Sequence, residues 1–362
     1  MIKIKGLILA GGLGTRLRPI SHTGPKQLVP IANKPVLHYC MEDFKKAGID
    51  EIGIIVGYTK ERIKKIVDSL GDGSKWGVKI TYIEQDAPRG LAHAVWIAKD
   101  FLNNENFVVY LGDNLLKNGI KNIVDDFKNS DCDISLFLAA VDNPSRYGVA
   151  VLNENHEVID VEEKPENPKT NLAIVGVYLF KPNIFDAIKN VKPGKKGELQ
   201  ITDAIYEFVK DSTKKVTGSI VKGWWDDTGT TDAVLRANHL ILIDLESDNK
   251  AKIEKDVKII GNVKIGQNTI IRKGSVIKGP LIIGENCLIG PDTYIGPYTS
   301  IGNDVKVIGG EIEASVVLDN AHIEFKNKIV DSLIGKHSII KSKNILPKGH
   351  RLIMGENSEI NF

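Results

Sequence analysis

The part of this 362-residue chain best suited to chemistry is a glycine-rich run followed by fixed cations. Ala10-Gly11-Gly12-Leu13-Gly14-Thr15-Arg16-Leu17-Arg18-Pro19 comes directly after the apolar run Ile4 to Ala10. Glycines let backbone N–H groups turn toward an anion that Cβ atoms would obstruct. Arg16, and then Lys26 in Gly24-Pro25-Lys26-Gln27-Leu28, can neutralise charge that grows on a phosphoryl group in transit. Two familiar phosphate loops do not fit. A Walker loop would end in Gly-Lys-Ser/Thr, and a dinucleotide fingerprint needs a glycine where Leu17 stands. Two carboxylates complete the set. Asp113 follows the apolar run Phe107 to Leu111, and Asp227 precedes Thr228-Gly229. Either could cap a helix, or the two could share a magnesium ion with phosphate oxygens and water.

The elements that must position these groups are legible as alternating strands and helices. Strands are expected at Ile4 to Ala10, Glu51 to Gly57, Val78 to Glu84 and Phe107 to Leu111. Helices are expected at Pro35 to Ala47, stopped by Gly48, then at Lys60 to Leu70 and Leu91 to Phe101. That order predicts an α/β fold whose parallel strands carry ligands beyond their carboxyl ends, where the glycine run and Asp113 stand. A further helix starts near Thr231 and ends in the polar stretch Ser247 to Lys250.

Beyond it the period changes to six. Ile253, Ile259, Ile265, Ile271, Ile277, Ile283, Ile289, Ile295, Ile301 and Val307 are evenly spaced, with Thr269, Ser275, Cys287 or similar residues four further on. Such a repeat is the mark of a hexapeptide β-helix with aliphatic side chains stacked inward. It slips at Gly309-Gly310 and returns in part near Leu318 and Ile334. The expected domains are 1–246, 253–345 and a tail, 346–362.

With 48 basic and 46 acidic residues the formal net charge is +2, which argues against a nucleic-acid groove or a polybasic membrane anchor. No run approaches the roughly 20 apolar residues that cross a bilayer. The run Gly6 to Ala10 is too short for a signal-peptide core. Three scattered cysteines, Cys40, Cys132 and Cys287, exclude a disulfide framework and suit a reducing cytoplasm, where this chain is expected.

The motifs together resemble the sugar-1-phosphate nucleotidylyltransferases, most closely the long-type glucose-1-phosphate thymidylyltransferases. The likeness rests on Leu9 to Leu17, Pro25 to Leu28, Gly90-Leu91-Ala92-His93-Ala94, Leu111-Gly112-Asp113-Asn114 and Glu162-Glu163-Lys164-Pro165, with Gly197 to Asp203 and Trp225 to Thr230. It implies a Rossmann-like, mixed but mostly parallel sheet followed by a left-handed parallel β-helix. It also implies nucleotidyl transfer from deoxythymidine triphosphate (dTTP) to glucose-1-phosphate, with Mg2+ on Asp113 and Asp227 and with Arg16 and Lys26 as the catalytic cations. The nucleophile is already an anion, so positioning and charge neutralisation must supply the rate, with no general base.

By the same resemblance Gly11, Gly12, Gly14 and Thr15 hold the nucleotide. Gln27 and Gln85 read the pyrimidine edge, with Gly90 and Leu91 against the base. Tyr147, Gly148, Glu163, Lys164, Val175, Gly176 and Trp225 take the sugar phosphate. His93 is expected to be a packing residue, and Glu198 carries no assigned role. UTP in place of dTTP is the alternative nucleotide. Two less favoured readings are an acyltransferase using His322, His337 or His350 on the β-helix, and a subunit that has lost catalysis. The flat β-helix faces predict a homo-oligomer.

Overall fold

Seven consecutive buried residues, Ile4–Ala10, form the central strand β1, and a strand covered on both faces reads as a continuous apolar run. The computed structural model describes residues 3–57, 59–194 and 197–342. It divides into two units, one ending at Asp244 and the other starting at Leu245.

In the first unit β1 is followed by a small antiparallel hairpin, β2 (Pro30–Ile31) and β3 (Lys34–Pro35). Helix α1 (Val36–Lys46) comes next and buries Val36, Leu37, Cys40, Met41 and Phe44 along one stripe. Gly48, at φ 71°, ends it: its N–H bonds Lys45 and that of Ile49 bonds Phe44, the paired pattern of a left-handed cap. Strand β4 (Glu51–Val56), helix α2 (Lys60–Leu70) and strand β5 (Lys79–Glu84) follow as expected. The next helix is not one piece. It divides into α3 (Leu91–Trp96) and α4 (Lys99–Leu102), because the Ala98 N–H bonds Val95 and so tightens the turn. Strand β6 (Asn106–Leu111) then pairs in parallel with β1.

Strands β4 and β5 extend the parallel half of the sheet on the other side of β1. After β6 come β7 (Asn114–Leu116) and α5 (Lys121–Lys128), then β8 (Ile134–Ala140), β9 (Gly148–Leu152), β10 (Val158–Glu163) and β11 (Leu172–Phe180). β11 runs antiparallel to β6, β8 and β9, so the sheet is mixed, in the order β10-β9-β11-β6-β1-β4-β5 with β8 joined to β11. Helices α6 (Ile184–Ile188) and α7 (Ile201–Lys210) precede β12 (Val216–Ile220), which pairs with β8. β13 (Trp225–Asp227) pairs with β7 as a separate ribbon, and α8 (Thr231–Ile243) closes the unit with Thr230 capping it.

The second unit fits the hexapeptide β-helix expected from the six-residue repeat, and the left-handed one that the resemblance implies. Among the described residues its strands form three parallel sheets, two of six strands and one of five. Each isoleucine pairs with the one eighteen positions on, as Ile253 with Ile271 and Ile271 with Ile289, so three hexapeptides make one coil. Pairing starts at Asp248–Asn249, which lies beside Lys264–Ile265. Thr269, Ser275, Cys287 and Thr299 are buried with the isoleucines, and the Thr269 hydroxyl donates to the Gly284 carbonyl.

The slip in the repeat is a shortened coil, not an end. Ile295 pairs with Ile312, Ile301 with Val317 and Val307 with Ile323. Gly309 and Gly310, at φ 68° and 70°, make the tighter corner that a Cβ would strain. Val317, one residue before the expected Leu318, therefore carries the stack to Ile334. The tail 346–362 and His350 lie outside the described residues.

Ile289 is fully buried between Ile271 and Val307. Replacing it by Ala is expected to cost about 2–5 kcal/mol, read as an earlier denaturant midpoint. A loss below about 0.5 kcal/mol would mean that this stack does not hold the second unit together.

Candidate active site

Strands β1 and β6 lie side by side in parallel, so their carboxyl ends deliver the glycine loop and Asp113 to the same place. There the chain encloses a cavity of about 350 Å³. Its walls include Gly11, Gly12, Arg16, Lys26, Gln27, Gln85, Gly90, Leu91, Asp113, Tyr147, Glu163, Lys164, Gly176, Trp225 and Asp227. Four of the expected residues do not line it. Gly14 and Thr15 shape the turn behind Arg16, and Gly148 stands behind Glu163. Val175 is fully buried in the hydrophobic core, so the wall there is its neighbour Gly176.

Gly14 sits at φ 66°, and a Cβ on it would come within 2.8 Å of the Lys26 side chain, so glycine here lets the loop close onto the lysine. The loop is braced from behind. Ser21 Oγ donates to the Gly14 carbonyl at 2.6 Å, and Arg62 on α2 donates to the carbonyls of Leu13 and Ser21. Sequence reasoning missed Arg62, because nothing in its helical context marks it.

Lys26 and Asp113 form an ion pair at the base of the cavity. Burial alone would lower the lysine pKa and raise the aspartate pKa, yet each partner overrides it, leaving Lys26 raised and Asp113 lowered. Both are therefore charged at neutral pH. Asp227 is placed differently. Burial and then the neighbouring Asp113 carboxylate push it up to about 6, against the pull of Lys26 and Arg16. Its Oδ1 is buried with no hydrogen-bond partner among the described residues. Asp226, one residue earlier on β13, points to the opposite face and is held by Arg236 through two bonds of 2.6 Å. An unpartnered carboxylate oxygen beside a second carboxylate suits a divalent cation that takes its other ligands from phosphate and water.

Asn114, which sequence reasoning passed over, ties the halves of the site together. Its Oδ1 accepts from Trp225 Nε1 at 2.6 Å, and its amide nitrogen donates to Asp113 at 3.2 Å. Thr228 holds the Asp113 carbonyl through both its N–H and its hydroxyl. Across the cavity Glu163 accepts from Lys164 Nζ at 2.8 Å and from the Thr202 hydroxyl at 3.1 Å. The Tyr147 and Trp225 rings meet edge to face, 5.3 Å apart. Glu198 also lines the cavity, with Gln200 donating to it. Gln27 is buried, and its Oε1 has no partner among the described residues.

Comparison with known proteins matches residues 5–243 to the model described as Nucleotidyl transferase. The chain belongs to the nucleotidyl transferase family. Residues 277–361 match the model described as GMPPB C-terminal domain. The chain is 48% identical over 359 residues to the low-salt glycan biosynthesis nucleotidyltransferase Agl11 of Haloferax volcanii, covering 99% of each. It is 41% identical over 355 residues to a glucose-1-phosphate thymidylyltransferase of Streptomyces griseus, covering 98% of each. A crystal structure of UDP-glucose pyrophosphorylase complexed with UDP-glucose is 30% identical, with a TM-score of 0.59 over 67% of this chain and 98% of that one.

The family's chemistry fits a site that gathers Arg16, Lys26, Asp113, Asp227 and the glycine loop within one cavity. Asp227 gives a test that needs no substrate. Its raised pKa means the folded chain binds this proton more tightly than the unfolded chain does. Its contribution to stability is present below the unfolded value of 3.8 and is lost as pH rises through about 6. Asp227→Asn should therefore raise the melting temperature at pH 8, with the gain vanishing near pH 4. An equal gain at both pH values would contradict this account of the buried carboxyl.

Proposed function

We propose that this nucleotidyltransferase is a glucose-1-phosphate thymidylyltransferase, joining dTTP to glucose-1-phosphate with release of pyrophosphate. The observation that carries the reading is the convergence of the glycine loop, Arg16 and Lys26 with Glu163 and Lys164 around one cavity. One end is suited to a triphosphate, the other to a ligand with hydroxyls and a phosphate. The full-length likeness to the Streptomyces griseus enzyme supports glucose-1-phosphate and dTTP as the pair.

In this reading the loop amides and Arg16 hold the β- and γ-phosphates, and Lys26 lies against the α-phosphate. Lys164 pairs with the sugar phosphate and aligns one of its oxygens behind the α-phosphorus. That oxygen forms the new P–O bond as the bond to the bridging oxygen breaks, and pyrophosphate leaves with the electron pair. No proton has to move. Asp113 and Asp227 would hold Mg2+, which supplies further charge neutralisation at the phosphates when bound. Gln27 and Gln85 would meet the base edge, whose alternating carbonyl and N–H groups match the amide pair.

A pyrophosphate-release panel tests this directly: dTTP, UTP, dCTP, ATP and GTP against glucose-, galactose- and glucosamine-1-phosphate. The expected result is fastest turnover with dTTP and glucose-1-phosphate. Preference for UTP would assign the uridylyl alternative instead, and activity with neither dTTP nor UTP would reject the reading. Arg16→Ala with Lys26→Ala should lower kcat by at least about a hundredfold, as loss of fixed transition-state charge does elsewhere. Asp113→Asn should cut turnover by orders of magnitude and raise the Mg2+ needed for half-activity. Unchanged magnesium dependence would remove Asp113 from the metal site.

A further inference from the structure

His93 does not line the cavity, yet polar groups face both of its ring nitrogens. It lies on α3, 8% exposed, with a polar partner at each ring nitrogen. Nδ1 stands 3.3 Å from Gln85 Nε2, and Nε2 stands 3.6 Å from Asp86 Oδ1. Asp86 is itself held by Arg89, whose Nη2 donates to the other carboxylate oxygen at 2.6 Å. The 3.6 Å separation is longer than a hydrogen bond, but a carboxylate offers only acceptors, so its charge favours the neutral tautomer that carries the proton on Nε2 and leaves Nδ1 as an acceptor. An acceptor at Nδ1 requires an N–H from the amide. The Gln85 nitrogen therefore faces the ring and its Oε1 faces away. That oxygen lies over Gly11, where an added Cβ would approach it to 2.7 Å.

We propose that His93, steered by Asp86, is a specificity-positioning residue that locks the Gln85 amide in one orientation and so excludes cytosine from the nucleotide site. The inference rests on the reading above, in which Gln85 meets the base. Uracil and thymine present a carbonyl beside an N–H. Cytosine has nearly the same shape but presents an amino group beside a bare ring nitrogen. An amide free to turn over exchanges its donor and acceptor ends and satisfies both edges. A locked amide sets donor against donor and acceptor against acceptor when cytosine enters. In a cavity where Gln85 is 7% exposed, water cannot relieve that mismatch. Rejection then comes from a built-in misfit, since shape alone distinguishes the two bases poorly.

The test is steady-state kinetics with dTTP and dCTP, each with glucose-1-phosphate, on wild type, His93→Ala, His93→Asn and Asp86→Ala. His93→Ala should lower the dTTP-to-dCTP ratio of kcat/KM by at least about tenfold, with an absolute gain for dCTP. His93→Asn, which can return an acceptor oxygen near the Nδ1 position, should restore part of the ratio. Asp86 has a largely exposed side chain, so Asp86→Ala leaves the core packing in place and should shift the ratio in the same direction. It decides the matter if His93→Ala does not fold. Equal losses for both nucleotides in the folded variants, with the ratio kept, would overturn the proposal and leave the thymidylyl reading standing. A wild-type enzyme inactive with both dTTP and UTP would instead overturn that reading, and this one with it.

Discussion

The ion pair between Lys26 and Asp113 joins residues 87 positions apart, and the site is arranged around it. Burial in that environment works against both charges. Desolvation is the largest single influence on each, and it is outweighed chiefly by the partner's charge and hydrogen bond, with Asp227 helping Lys26 and Asn114 helping Asp113. A buried pair of this kind is weak evidence for stability, since the loss of hydration offsets much of the attraction. Its value lies in what it keeps charged. Arg16 and Asp227 line the same cavity as the pair, and Asp227 Oδ1 has no hydrogen-bond partner among the described residues. In the proposed reaction a divalent cation would meet that oxygen and phosphate would meet Arg16 and Lys26, so ligand and protein charge would complete one another.

The fold supplies the proximity. Parallel pairing of β1 with β6 ends both strands at one edge, and the turn after each leads into the glycine loop and into Asp113. The antiparallel ribbon of β7 with β13 then sets Asp227 opposite Asn114, and Thr228 clasps the Asp113 carbonyl. Gly90 closes the remaining wall. At φ 101° it admits the Leu199 backbone so closely that a Cβ would lie 2.4 Å from the Leu199 oxygen, which brings the segment carrying Glu198 against the segment carrying Leu91. Each contact joins distant stretches of chain, and such contacts turn a set of motifs into one cavity.

What could be read from the residues alone follows from range. β1, α2 and the Gly48 cap depend on neighbours in sequence, and the pattern places them within a residue of where they stand. The six-residue ladder was equally plain as far as Val307, because each coil repeats one local geometry. Past Gly309-Gly310 the spacing falls to sixteen or seventeen residues per coil, as Val307 to Ile323 and Ile312 to Ile329, and a strict period cannot follow it. At the site, position after a strand marked Asp113. The roles of Asn114, Arg62 and Thr202 were invisible, since each depends on a partner far away in the chain. Val175 was expected beside Gly176, but Ile174 and Gly176 line the cavity while Val175 between them is buried in the core, as alternation along a strand requires.

The central claim is that the glycine-loop amides, Arg16 and Lys26 grip a triphosphate in the cavity that also holds Asp113 and Asp227. A crystal structure of the chain with dTTP and Mg2+ measures this most directly. The account predicts the triphosphate along Gly11 to Arg16, the α-phosphate within reach of Lys26 Nζ, and the metal between the two carboxylates and the phosphate oxygens. Phosphates bound elsewhere, with the Lys26–Asp113 pair undisturbed, would contradict it.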